Sequence, residues 1–275
     1  MEIYYTTSEG KNIYLDRKPY YMLDSSDVID YEWEYQTNSK NRQISAFTKN
    51  LKKKGIDIAI ISESKEEHKE NINNIVEAFE NNIVMISPGK LNIGEYYLSC
   101  YFVKSKKQSI YENAKKAIVN FSVVVEKDVW IKKTRHEFIH EDIPDISGRG
   151  YPYGYEYDYS IGSGYMDILD NEHFASCDFI LEIRGYSFKP SITIGGHVYK
   201  VNETIQANEI LTIDSKEKTI ILTKNNGVKV NLFSKREKSS YIFEKIHSGE
   251  NQVYWNSGFN FEITLFEERS EPKWT

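Results

Sequence analysis

Cysteine is scarce: Cys100 and Cys177 are the two present in 275 residues. They lie far apart, without the close spacings of a disulfide framework or a zinc ribbon, so both are expected to be reduced and buried. Proline, at six, and methionine, at four, are also few. No apolar run approaches the ~20 residues that cross a bilayer. The opening "MEIYYTTSEG" carries an acid and hydroxyls in place of a basic region and an apolar stretch. No membrane contact is expected, and the chain is expected to stay in the cytosol that makes it or to leave without a signal peptide. Basic charge is short as well. The formal net charge is -6, and no Lys/Arg cluster is interleaved with stacking aromatics, so no nucleic-acid surface is expected. The densest basic run, "LKKKG" at 51–55, reads as a solvated turn. A glycine-rich phosphate loop is missing, and so is a Gly-x-Ser-x-Gly elbow, so no cofactor and no hydrolase triad are expected.

What the chain has is aromatic. Twenty-one Tyr and thirteen Phe lean towards strand. The expected fold is mostly β with one or two helices. Short strands are read at "EIYYT", "NIYLD", around "YEWEYQ" and at "IDIAIIS", then at "GEYYLSCYFV", "AIVNFSVVVE" and "VWIKK". "SKKQSIYENAKK" reads as a long hairpin connection. One helix interrupts these strands at "SKEEHKENINNIVEAFENN". Ser64 is its N-cap, Glu67 completes a capping box, and Ile72, Ile75, Val76 and Phe79 share a face. Beyond residue 172 the pattern is purely β, with strands of about five residues broken by Gly195-Gly196 and Asn-Gly turns. That is the grammar of an antiparallel sandwich. Three parts are expected: a β-rich α+β domain at 1–147, a tyrosine-rich connector at 148–171, and a sandwich at 172–275 able to fold alone.

His136-Glu137-Phe138-Ile139-His140 matches the H-E-x-x-H of zinc peptidases, where two imidazoles one helical turn apart hold the metal and the glutamate activates water. The flanks oppose it. Glu141 and Asp142 follow where the helix should stay apolar, and Pro144 ends it. A third ligand among Glu156, Asp158 and His173 has nothing to fix it. Read as a strand, His136, Phe138 and His140 share one side, with Glu137 and Ile139 on the other. The three site residues His136, Glu137 and His140 are therefore rejected as a metal centre, and no catalytic set is expected. His68, His197 and His247 read as exposed or locally bonded residues. Glu182, Glu262 and Glu267 lie in or beside strands, where a facing pair resembles a glycosidase only as any half-exposed sheet does.

The stretch "GRGYPYGYEYDYS" places Tyr151, Tyr153, Tyr155, Tyr157 and Tyr159 on one side of an extended run, with Pro152, Gly154, Glu156 and Asp158 on the other. Three uses compete: an interface between domains or subunits, a sugar-stacking surface, and a plain half-buried strand. Trp130 and Trp274 join the five tyrosines as candidate interface aromatics.

Taken in order, "YLDRKPYYMLD…YEWEY", "VVVEKDVWIKK", the tyrosine stretch, "CDFILEIRG", "SITIGGHVYKVN", "LTIDSKEKTIIL", "SGENQVYW" and "FEERSEPKW" resemble the distal tail proteins of long-tailed phages of Gram-positive bacteria. The resemblance covers most of the chain. It implies an N-terminal domain forming a hexameric ring at the tail tip and a galectin-like C-terminal sandwich projecting from it. It also implies partners: further copies of itself, the tail tube protein, a hub or tail-associated lysin, and a receptor-binding or fibre protein. Localisation in the virion tail tip, after synthesis in the host cytoplasm, follows from the same resemblance. Tail-like bacteriocins and prophage particles share such parts. A carbohydrate-binding adhesion module of the tail is the alternative, with host cell-wall carbohydrate as its ligand.

Overall fold

The structure, a computed structural model, describes residues 2–38, 43–107, 115–140, 164–256 and 258–273. The chain divides into two compact units, 1–132 with 268–275, and 133–267.

In the first unit, β1 (Ile3–Thr6), β2 (Asn12–Tyr14), β3 (Asp16–Arg17), β4 (Tyr20–Met22), β5 (Glu34–Thr37), β6 (Ile44–Thr48) and β7 (Lys52–Ile61) precede the helix α1 (Lys65–Val84). After it come β8 (Gly89–Ile93), β9 (Tyr96–Lys107), β10 (Lys116–Val125) and the start of β11 (Trp130–Phe138). Hydrogen bonding runs β2-β1-β8-β9-β10-β7-β4-β3, all antiparallel. Strand β9 is shared, its first half zipped to β8 and its second to β10. Strands β5 and β6 form a hairpin of their own, bonded to no other strand among the described residues.

The helix starts where its capping letters place it: the Ser64 hydroxyl accepts the Glu67 N–H at 3.1 Å. The Glu67 carboxylate reaches back one residue further than expected, to the N–H of Glu63 at 2.7 Å. Ile75 and Phe79 are buried against β9 and β7, flanked by half-buried Ile72 and Val76. Phe79 stacks on Phe102 with centroids 3.7 Å apart, and Tyr5 and Phe121 meet that pair edge-on. The buried Tyr5 hydroxyl accepts from Asn82 Nδ2 at 2.6 Å, and Asn82 Oδ1 accepts the N–H and hydroxyl of Ser8. Burial pushes the Tyr5 phenol well above its ordinary pKa. Strand, helix end and turn are thus locked by one amide.

The helix ends in a Schellman motif, Ser87 N–H to Asn82 O and Ile86 N–H to Ile83 O. The left-handed position that normally takes glycine holds Ile86, at φ 50°.

The run "LKKKG", expected as a solvated turn, is instead the start of β7. Lys54 is buried, its ammonium 2.5 Å from the Asp128 carboxylate, and it donates to the carbonyls of Val28 and Asp30. A charge in so dry a place is held by a countercharge and carbonyls, information that three adjacent lysines do not carry.

The second unit comprises the rest of β11, β12 (Gly164–Asn171), β13 (Asp178–Arg184), β14 (Ser187–Phe188), β15 (Ser191–Ile194), β16 (His197–Lys200), β17 (Thr204–Ile205), β18 (Ile210–Asp214), β19 (Thr219–Thr223), β20 (Lys229–Asn231), β21 (Gly249–Asn256) and β22 (Asn260–Arg269). Two sheets, β20-β19-β18-β13-β22-β11 and β12-β21-β15-β16, supply one core. Phe179, Leu181, Ile183, Phe261 and Ile263 come from the first, and Leu169, Ile192, Ile194, Val253 and Trp255 from the second. This is the antiparallel sandwich that the alternation predicts. Gly195 and Gly196, at φ 55° and 83°, make the two-residue turn between β15 and β16.

Residues 164–171, grouped with the connector from sequence, form β12, which pairs with β21 along its whole length. The sandwich also draws Phe138 into its core, while residues 268–275 belong to the first unit. The rest of the connector, 148–163, lies outside the described residues.

Three outcomes follow for stability. A Cβ on Gly89 would sit 2.0 Å from the Tyr5 hydroxyl oxygen, so Gly89→Ala is expected to cost at least ~3 kcal/mol in urea unfolding. A cost below ~1 kcal/mol would show that the Tyr5 network yields. Lys54→Met alone strands Asp128 and is expected to cost ~3–5 kcal/mol, most of it recovered in Lys54→Met with Asp128→Leu. Equal losses in single and double variants would deny the coupling. A fragment cut at 172 forfeits β12 and Phe138, so it should unfold at lower urea than a 133–267 fragment; matching midpoints would show β12 to be dispensable.

Candidate assembly interface

The H-E-x-x-H residues lie at the end of a strand, not on a helix: His136, Glu137 and Phe138 close β11, and Ile139 and His140 follow it. The residues alternate between partly or fully buried His136, Phe138 and His140 and exposed Glu137 and Ile139. The extended backbone from His136 to Phe138 denies the pair the one helical turn that the peptidase geometry needs. His140 packs edge-on to Tyr165, centroids 4.4 Å apart, and its N–H donates to Asn260 Oδ1. Glu137 shares Arg135 with Glu262. Of the suggested third ligands, His173 is buried beside Phe174 with its N–H on Asn171 Oδ1, while Glu156 and Asp158 lie outside the described residues.

Glu182 and Glu262 do face each other across β13 and β22. Each meets a different guanidinium, Glu182 that of Arg184 at 2.7 Å and Glu262 that of Arg135 at 2.5 Å, which is how like charges directly opposite are tolerated. Glu267 is buried and accepts the Thr134 hydroxyl. The lone histidines serve local contacts: His68 lies beside Ser62, His197 Nε2 meets the Tyr241 carbonyl at 2.9 Å, and His247 meets Ser176. Burial pushes the Cys100 thiol up to about 12 and the Cys177 thiol up to about 11; both are free and buried, as expected.

The five tyrosines of the alternating stretch and Trp274 lie outside the described residues. Trp130 is fully buried in the first unit's core, so within this chain it offers no surface to a partner.

A surface that sequence reasoning did not single out stands on the β5–β6 hairpin. The register pairs Tyr35 with Phe47 and, past a bulge, Thr37 with Ile44. Trp33 and Tyr31, just before β5, extend the aromatic run, and Lys49 lies over both rings. Trp33 meets Phe47 edge-on at 6.4 Å. All five apolar side chains are solvent-exposed, Tyr35 at 63% and Phe47 at 57%. Isolated hairpins are marginal in water, and exposed apolar patches of this kind mark candidate interaction sites. The other face is polar and closed: Lys52 bridges Glu32 and Glu34, and Asn50 donates to Glu34 at 2.7 Å. Asn50 first, and then Lys52, hold the Glu34 carboxyl below its ordinary range.

The hairpin is aimed from its base. Lys49 donates to the Asp128 carbonyl at 2.8 Å while its ammonium lies 5.0 Å from the Tyr31 ring and 4.9 Å from the Trp33 ring. Lys54 grips the carbonyls of Val28 and Asp30 just before Tyr31. The signal was in the letters: Tyr31-x-Trp33-x-Tyr35 is the same period of two as the tyrosine stretch, on a shorter run.

No protein-family model matches the chain, and no curated protein does. Solved structures do. The Dit (gp 19.1) protein of SPP1, described as a paradigm of the hub adsorption apparatus in phages infecting Gram-positive bacteria, aligns with a TM-score of 0.60 at 8% identity. That alignment covers 97% of this chain and 99% of the SPP1 protein. A chain of the phage P2 baseplate in its activated conformation with calcium aligns at 0.52 and 13% identity, over 96% of this chain and 98% of that one. The strontium form of the same baseplate gives 0.51 and 12%, over 96% and 97%. At such identities the likeness is one of fold, and the resemblance read from the sequence is borne out at that level. The chain has the fold of a phage distal tail protein.

Proposed function

We propose that this chain is a structural component of a phage or phage-like tail tip, where copies of it assemble into a ring that joins the tail tube to the hub and adsorption apparatus. The carrying observation is the exposed aromatic face of the β5–β6 hairpin, on a chain whose fold is that of a hub adsorption protein. Its role is to hold other proteins in register, without chemistry of its own. The strand conformation of His136 and Glu137 and the arginine-held carboxylates support that reading.

In this reading the first unit forms the ring and the sandwich projects from it. Tube protein, hub or lysin, and receptor-binding protein are its neighbours. The tyrosines 151–159 are proposed as a second contact between domains or subunits. A ring of six copies is the expectation carried over from the resemblance.

Sedimentation velocity across protein concentration is the test. The parent chain should form one closed multimer, and Tyr35→Ser with Phe47→Ser should dissociate it, because a central interface aromatic is worth ~2 kcal/mol or more, about 30-fold in each association step. Both side chains are exposed, so the variant should melt like the parent monomer. A parent that stays monomeric at every concentration would remove the ring. Truncating Tyr153, Tyr155 and Tyr157 to alanine should weaken assembly too; loss of binding to host wall polysaccharide with assembly intact would favour the adhesion module instead.

A further inference from the structure

A second apolar surface lies in the same unit. Between α1 and the strands β9 and β10 runs a half-open groove of about 120 Å³, with Phe79, Phe102 and Phe121 as its floor and Val76, Ile83 and Val103 on its sides. That is on the order of the ~150 Å³ that accepts a benzene ring. Beyond Ile83 the helix end leaves Val84, Met85 and Ile86 in solvent, Ile86 at 84% exposure.

Ile86 is the telling residue. It occupies the left-handed position of the Schellman motif, where a β-branched side chain is strained and glycine is the ordinary solution. Its side chain, largely in water, does little within the chain to offset that strain. Strained residues that persist are the ones to examine for function.

We infer that the groove beside α1 receives the aromatic face of the β5–β6 hairpin from the next copy of the same chain. This rests on the ring reading above and names its contact. Three observations choose a second copy as the occupant. The hairpin face has apolar side chains of a size to fill the groove. Its four aromatics, at half of the 150–250 Å² of each, offer ~300–500 Å², about half of what one partner contributes to a standard interface. Charge also matches: residues 24–30, leading into the hairpin, hold Asp24, Asp27 and Asp30 and no base, whereas the exposed end of β9 holds Lys104, Lys106 and Lys107 and no acid. Glu80 also lines the groove. Donor face and acceptor groove are different surfaces, so the contact is heterologous, and repeating it generates a ring when the rotation closes.

Cross-linking of the full chain tests this. Thr37→Cys, beside Tyr35 on the hairpin face, and Val103→Cys place one thiol on each surface with the aromatics kept, and the native Cys100 and Cys177 are buried and do not compete. With a short bis-maleimide, the double variant should give a ladder ending at the ring number. Each single variant should stay uncross-linked, and an equal mixture of the two should give dimers. Dimers from Thr37→Cys alone would show hairpin meeting hairpin and overturn the inference. A multimer by sedimentation that yields no cross-link would also overturn it while leaving the ring reading intact; a monomer by sedimentation would end both. As an independent arm, Ile86→Gly in the Tyr35→Ser, Phe47→Ser background should raise the melting temperature by about 2–4 °C, and in the parent it should lower the multimer fraction. Unchanged assembly with Ile86→Gly would remove the helix end from the contact.

Discussion

The buried ion pair of Lys54 and Asp128 is the constraint on which the presentation of the hairpin depends. A hairpin bonded to no neighbouring strand takes its direction from its two ends. At one end the Lys54 ammonium draws the Val28 and Asp30 carbonyls onto β7, and at the other Lys49 ties β6 to the Asp128 carbonyl. Because both lysines converge on Asp128, one acidic residue sets both ends. A pair this dry contributes little net stability, since desolvation offsets most of the attraction. What it supplies is geometry, and a geometry that exposes Trp33, Tyr35 and Phe47 has a use only if another surface covers them.

The same logic separates the two units. In the sandwich, large apolar side chains face each other across two sheets, and the polar groups left inside find partners, as Asn171 does with the carbonyls of Ile246 and His247. In the first unit the aromatic core of Tyr5, Phe79, Phe102 and Phe121 is equally well closed, yet its rim opens into a groove and its hairpin turns aromatics outward. That unused apolar surface is what the proposed assembly would cover; the fold itself is shared with hub and baseplate proteins.

Much of the fold was legible because local rules dominate it. Ser64 and Glu67 cap α1, Gly195-Gly196 turns a hairpin, and the alternations in "CDFILEIRG" and "FNFEITLFEE" become β13 and β22. What failed depended on distant partners. Three lysines in a row look solvated until Asp128, more than seventy residues away, arrives beside the third. Residues 164–171 look like connector until β21 supplies their pairing, and the sandwich reaches back for Phe138, which no local signal marks. At the candidate site, the alternating aromatics of residues 31–35 carried the signal, but it was only the register with Ile44 and Phe47 that turned three aromatics into a face.

Hydroxyl-radical footprinting of the parent chain, compared between dilute monomer and concentrated multimer, addresses the central claim that this face is the assembly contact. Assembly should protect Tyr31, Trp33, Tyr35 and Phe47 selectively, while exposed side chains of the sandwich such as Phe174 and Tyr186 keep their monomer reactivity. A multimer in which the hairpin aromatics react as they do in the monomer would contradict the account.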